Sequence, residues 1–299
     1  MLLQILFNGL VVGSLYALVA LGFSLIYSGT RIFHIAHGAA YTTAVYSYLL
    51  WLTLFNSQPS TAGWGAFTLA VILSLLVACI FAALCEIGIY RPLYKRGAPP
   101  MVAFISSLGV YIVVVNVIAL LFGSEKKVLS TSVAPSVFYG QLVVNRVQVI
   151  QLAISATLIL MAFLLLKKTS LGRNIRALSD NATLLNVLGI DPMRVRTTVF
   201  IVGSALAAVA ALLRALDVGI NPYGGLIAVL TATVAILVGG IGSNLGAVCG
   251  ALFIGLTQNL VVWVFSSEWK DAVTFGILIA VLLYRRDGVF TRQQRLEES

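Results

Sequence analysis

Charge is scarce in this 299-residue chain: only 10% of its residues are Asp, Glu, Lys or Arg, and Ile32 to Cys85 and Val218 to Ser267 carry none. A soluble domain of this length needs much more polar surface, so a soluble fold is excluded. With 60% hydrophobic residues and a mean hydropathy of +1.02, the chain is an integral membrane protein. Period-two alternation is also missing from the long apolar runs, which excludes barrel strands and leaves helices, since lipid satisfies no backbone hydrogen bond. Cysteine is limited to Cys79, Cys85 and Cys249, all inside apolar runs and in no metal-ligand spacing, so they are read as small packing residues. No G-x-x-x-x-G-K-[ST] occurs, and no polar segment is long enough to hold a nucleotide.

What is present is a series of apolar runs, each near the roughly 20 residues a spanning helix needs. Cutting them at polar or Gly/Pro interruptions predicts nine spans near 2–28, 32–55, 64–90, 101–123, 147–167, 197–219, 225–241, 245–265 and 271–284, two of them short. The first follows Met1 with no basic leader or small-residue cleavage pattern and is read as a retained helix. In a soluble chain a net charge of +9 would suggest nucleic acid; here no nucleic-acid partner is expected and the charge reports topology. Placing Arg31, Arg91 to Arg96, Lys167 to Arg196 and Arg285 to Arg295 on one side gathers 14 Lys and Arg there against 4 opposite. The positive-inside rule then puts the N-terminus outside, the C-terminus in the cytoplasm, and the loop 168–196 and tail 285–299 on the cytoplasmic face. One transmembrane domain over 1–299 is expected.

"IFHIAHGAAYTTAVYSYLL" and "GINPYGGLIAVLTATVAIL" each begin with a polar break and a glycine, and open the second and seventh predicted spans. An offset of five spans inverts orientation, the arrangement of inverted-repeat transporters with broken helices at the substrate path. Within the first break, His34 and His37 stand at i and i+3 with no acid or cysteine nearby, which argues against a metal and for helix capping at His34 and path shaping at His37 and Gly38. Asn221, Tyr223 and Gly224 form the counterpart, and Gly239, Gly240 and Gly242 mark a further junction. Open amides at such breaks can receive a carboxylate, although glycine clusters also serve as packing or turn devices. Arg214 with Asp217, and Glu86 with Arg91, are spaced to form structural pairs.

"RALSDNATLLNVLGIDP" is the most polar helical-looking segment. As one helix from Leu178 to Ile190 it places Leu178, Ala182, Leu185 and Leu188 on one face and Ser179, Thr183 and Asn186 along a polar stripe. Gly189 is placed to end it, and Asp191-Pro192 to cap and open the next. The segment alone fits either a helix lying on headgroups or one docking on a protein.

The same region, "TSLGRNIRALSDNATLLNVLGIDPMRVRTTVFIVGSALAAVAALL", resembles the cytoplasmic loop and following helix of the H-type permeases of branched-chain amino acid ABC importers. "NGLVVGSLYALVALGFSLIYSGT", "FHIAHGAAY", "IYRPL" and "LVGGIGSNLGAVCGALFIGL" resemble further family segments in the same order. The chain's length allows about eight to ten transmembrane helices in an all-α polytopic fold, and the resemblance implies that it is a permease of the inner membrane. It implies a second related permease, two ATPases carrying ATP and Mg, and an outer substrate-binding protein; this chain would hold no cofactor and catalyse nothing. Substrates would be branched-chain or other neutral amino acids, or small amides and urea, moved by alternating access. In the family's E-A-A-x-x-x-G coupling pattern the matching positions are Thr183, Leu184, Leu185 and Gly189, so only the glycine is kept. The family's Glu after His-Gly is here Ala39, and its role does not carry over. An ion-coupled secondary transporter is the alternative, weakened for protons by the charge-free runs.

Overall fold

A computed structural model describes residues 1–55, 63–128, 136–139 and 142–284. The predicted tail 285–299 and most of the interruption after the second span lie outside the described residues.

The apolar runs fold into α1 (Leu2–Thr30), α2 (His37–Leu54), α3 (Trp64–Cys85), α4 (Arg91–Lys95), α5 (Pro100–Phe122), α6 (Arg146–Lys168), α7 (Ser170–Asp180), α8 (Ala182–Val187), α9 (Pro192–Val218), α10 (Gly224–Gly239), α11 (Asn244–Val264) and α12 (Trp269–Tyr284). A π-helical turn, Glu86–Tyr90, joins α3 to α4 without a break. Six helical segments are long and apolar enough to cross a membrane; α10 and α12 are shorter, and α2 is less apolar. Boundaries follow local chemistry. Asn145 and Gln148 form a capping box at the start of α6, Pro100 opens α5, and Ser243 accepts from the Gly246 amide at the start of α11 (3.0 Å). The sequence reading missed a small β-hairpin between α5 and α6, β1 (Ser136–Tyr139) with β2 (Leu142–Asn145). Its strands of four residues are too short to disturb the helical class.

Helix α1 is the hub. Its most apolar stretch is 89% buried within the protein, against 22% for those of α3, α5 and α6, whose outward faces are left to lipid. It packs on α9, α10 and α11, while α9 packs on α1, α2 and α3; α2 lies on both α3 and α10, and α10 on α11. Exchanging α1 with α9, α2 with α10 and α3 with α11 leaves this pattern unchanged, at the same five-span offset that relates the two broken segments.

Two self-reciprocal glycine contacts sit where exchanged helices meet. A Cβ on Gly203 would stand 2.6 Å from the Gly22 carbonyl oxygen, and one on Gly22 would overlap the Gly203 carbonyl. Gly38 and Gly225 repeat the arrangement between α2 and α10. Backbones this close leave no room for a side chain and gain dense packing, which drives helix association where water does not.

The molecule has a basic end and a far end. At the basic end Gly29 faces Leu178 and Val199, so the end of α1, helix α7 and the start of α9 converge with Arg31, Arg176 and Arg194. At the far end Gln4 exchanges two hydrogen bonds with the Val143 backbone (3.0 and 2.8 Å), and Lys127 pairs with Ile220.

Gly203→Ala should therefore destabilise the detergent-solubilised protein by about 1–3 kcal/mol through overpacking. Gly276→Ala, on α12 with open space at its Cβ position, should be neutral or stabilising by up to about 1 kcal/mol. Thermal unfolding of the two variants side by side checks both; equal midpoints would deny the α1–α9 contact its structural weight.

Candidate functional site

Helix α1 ends when Arg31 takes a left-handed backbone (φ 57°), and the chain then turns back into the protein before α2 begins. His37 lies beside Gly22, whose added Cβ would meet its ring carbon at 3.3 Å. Gly22 precedes the end of α1 by eight residues, so α2 starts about 12 Å inside that end at 1.5 Å per residue. Non-helical backbone at that depth must find protein partners. The Ile32 amide donates to Thr30 Oγ1 (3.3 Å), the Ala36 amide to Ser107 Oγ on α5 (2.8 Å), and the Gly38 amide to the Ile35 carbonyl (2.9 Å). His34 Nδ1 is 2.9 Å from Tyr90 Oη, with Phe200 against the same imidazole. Both histidines are fully buried.

The second break mirrors the first. Val218 ends α9, Gly219 turns at φ 83°, and Ile220 pairs with Lys127 in both directions (2.9 and 2.8 Å). Asn221 Oδ1 accepts from the Tyr223 amide (2.8 Å), which prepares the start of α10. The starts of α2 and α10 then meet. Gly38 lies on Gly225, and Thr42 Oγ1 lies within hydrogen-bond distance of the Gly38 (3.0 Å) and Pro222 (3.2 Å) carbonyls, so one hydroxyl serves both breaks. A cavity of about 230 Å³ lies beside this junction, with Thr42, Arg214, Asn221 and Gly224 among its lining residues.

The predicted path residues are thus only partly brought together. Asn221 and Gly224 line the cavity, and Gly38 packs on Gly225, the neighbour of Gly224. His34 bonds to Tyr90 within the first break, His37 opens α2, and neither lines the cavity, while Tyr223 is 44% exposed. Gly239, Gly240 and Gly242 stand at the basic end, away from it. Gly239 packs on Gly246, Gly240 and Gly242 supply a turn at φ 104° and 86°, and Gly242 borders a separate cavity of about 430 Å³ with Ser28, Arg176 and Asn244. Ser107, Tyr90 and Thr42 were missed as partners of the breaks. Thr42 stands one turn into α2, a position that could have flagged it, whereas Ser107 and Tyr90 lie on distant helices with no local signal.

The polar segment is two helices, which corrects the single helix expected from Leu178 to Ile190. Asn181 breaks it: its backbone is extended, and its side chain accepts from the Leu184 amide (3.0 Å) to cap α8. The break re-phases the faces. Leu178 and Leu185 point into the protein (6% and 1% exposed), while Leu184, Val187 and Leu188 point out (57%, 78% and 66%). Leu185 therefore belongs to the chain's own core, and Leu188 does not share its face. Thr183 is exposed beside the outward triplet, Gly189 ends α8 at φ 79°, and Asp191 Oδ1 accepts from the Met193 amide (2.9 Å) to cap α9.

Neither expected ion pair forms among the described residues. Glu86 pairs with Arg196, not Arg91, at 2.8 Å with both side chains buried, and Arg196 also lies over the Tyr94 ring. Arg91 donates instead to Thr197 Oγ1 (3.0 Å) and the Met193 carbonyl (3.3 Å). The π-helical turn at Glu86–Tyr90 shifts the phase of the helix and turns both Glu86 and Tyr90 inward, one to α9 and one to His34. Arg214 has no carboxylate within 4 Å among the described residues and lies over the Tyr16 ring instead. A salt bridge across packed helices leaves no mark in i, i+3 or i, i+4 spacing, so the sequence offered the nearer partner.

Comparison with known proteins agrees with this architecture. Residues 5–282 match the family described as "Branched-chain amino acid transport system / permease component". The chain is 34% identical to the high-affinity branched-chain amino acid transport system permease protein BraD of Pseudomonas aeruginosa, over 98% of this chain and 96% of that one. It is 32% identical, at the same coverages, to LivH of Escherichia coli K12, which has the same description. The solved PsaBC complex with Fab from Streptococcus pneumoniae shares the fold (TM-score 0.51, 12% identity, 97% of this chain and 92% of that one).

Leaving a buried charge unpaired costs about 3–5 kcal/mol, whereas an apolar pair of similar volume is often tolerated. Glu86→Leu should accordingly lower stability strongly, and Glu86→Leu with Arg196→Met should recover most of the loss. Chemical denaturation of the two variants in detergent is the measurement; a double variant no better than the single one contradicts the pairing.

Proposed function

The chain belongs to the branched-chain amino acid transport permease family, and from that premise we propose that it is the transmembrane permease subunit of an ATP-driven ABC importer. It sits in the inner membrane with its N-terminus outside and its basic end in the cytoplasm. Its partners are a second related permease, two ATPases that carry ATP and Mg, and an outer substrate-binding protein. Branched-chain or other neutral amino acids, or small amides and urea, are the substrates, carried by alternating access. The observation that supports this best is the meeting of two interrupted helices, at Gly38 and Gly225, beside a solute-sized cavity.

Coupling to ATP hydrolysis runs through α8. Its outward triplet Leu184, Val187 and Leu188, with Thr183 beside it and Gly189 closing it, is the docking surface, while Leu185 anchors the helix to its own protein. Displacement of α8 reaches α9 through the Asp191 cap, and Glu86–Arg196 ties the base of α9 to α3. The 27 residues of α9 form a rod about 40 Å long that ends at the second break.

ATP-dependent leucine uptake by proteoliposomes holding the assembled transporter tests the reading; gradient-driven uptake by this chain alone would overturn it. For the docking surface, Val187→Asp should release the ATPases or abolish stimulated hydrolysis while leaving the permease fold intact, because a carboxylate buried at an interface costs several kcal/mol. Leu185→Asp should instead unfold or misassemble the permease itself. Wild-type pull-down and wild-type hydrolysis in Val187→Asp would remove α8 from the coupling path. Orientation is checked by thiol labelling, with Asp180→Cys reactive from the cytoplasm and Glu125→Cys from outside.

A further inference from the structure

The cavity beside the two breaks has a chemistry of its own. Val45, Ala211, Ala215 and Val218 give it aliphatic lining. Arg214, on the same face of α9 as the two alanines, and Lys126 make it cationic, and no Asp or Glu lines the space among the described residues. Arg214 is half-buried and has no carboxylate within 4 Å among those residues. It is nevertheless held in place: its guanidinium lies 5.9 Å from the centroid of the Tyr16 ring, Tyr16 Oη donates to Gln258 Oε1 (3.0 Å), and Gln258 Nε2 donates to Thr274 Oγ1 (2.7 Å). A cation held against Tyr16 with no carboxylate within 4 Å among the described residues is costly in a membrane protein. A second observation points the same way. Tyr46 is 2% exposed and lines the cavity, and its hydroxyl has no hydrogen-bond partner. Buried hydroxyls are normally satisfied, and this one is left free for a group that enters the cavity. Gly224 brings the positive end of the α10 dipole to the same space.

We propose that this cavity seats the carboxylate of a small aliphatic amino acid against Arg214, with the ligand's side chain among the aliphatic lining residues and the Tyr46 hydroxyl completing its hydrogen bonds. The inference rests on the permease reading and narrows its substrate class: urea and simple amides lack the anion that Arg214 requires. At about 230 Å³ the space suits one such solute, below the roughly 300–1,000 Å³ of sites for drug-sized ligands. Arg214, set aside by the sequence as half of a structural pair, becomes a specificity-determining residue.

The test is ligand protection of a cysteine placed in the wall. Val218→Cys in the intact transporter is labelled with a maleimide, with the parent chain as the control for its native thiols. Labelling should slow in the presence of leucine and of isocaproate, which shares the carboxylate, and should not slow with leucinamide, which lacks it. Adding Arg214→Gln should raise the leucine concentration for half-protection at least about tenfold, the loss of one charged hydrogen bond, and Arg214→Lys should fall between. Equal protection by leucinamide, no protection by leucine, or unchanged protection in Arg214→Gln each overturns the proposal. If protection follows the expected pattern while ATP-driven leucine uptake is absent, the permease reading fails and the carboxylate seat stands.

Discussion

A bilayer offers nothing to an open peptide group, and this chain opens its backbone twice, just before α2 and just before α10. Every other feature of the centre answers that demand. Ser107 supplies an oxygen to the Ala36 amide, Lys127 exchanges two bonds with Ile220, and Thr42 stands between the carbonyls of Gly38 and Pro222. Such partners are needed because each unsatisfied group in hydrocarbon costs several kcal/mol. The breaks are therefore tied to the surrounding helices α3, α5 and α9, and a shift of any of these is felt at the point where α2 and α10 begin.

The hydrogen bonds that serve the breaks come from small side chains, and the close approaches come from none at all. Gly22 on Gly203 and Gly38 on Gly225 bring backbone onto backbone. These contacts are tight, with the side chains of Ile26 and Thr42 crowding them as well, while the buried Glu86–Arg196 pair joins its two elements at the basic end by charge. The protein thus combines a closely packed centre with a charge-clamped base.

Much of the fold was legible in the sequence because membrane spans announce themselves by length and apolarity. The nine predicted spans each fall on a helix among the described residues, six of them long and apolar enough to cross a membrane, and the Asp191-Pro192 start of α9 and the Gly189 stop of α8 were readable as local chemistry. The centre was half legible: glycines at 38 and 224 marked the breaks, but nothing local pairs position 38 with 225 or 36 with 107. Leu185 was misplaced because a single capping residue, Asn181, rotates the second half of its segment relative to the first, and helical periodicity cannot anticipate a change of phase. The partners of Glu86 and Arg214 failed for a related reason, since spacing along one helix says nothing of a ring or a charge supplied by another.

The reciprocal glycine contacts carry a consequence for how this chain can vary over evolutionary time. Each member's carbonyl occupies the place of the other's missing methyl group at Gly22–Gly203 and at Gly38–Gly225. A substitution at one member cannot be compensated by shrinking its partner, which is already a glycine. The four positions are thereby frozen independently of whatever solute the cavity accepts. In a shorter ancestor built from one half of this pattern and paired with an inverted copy of itself, each such glycine would have met its own counterpart, so a single mutation would have struck the contact from both sides at once.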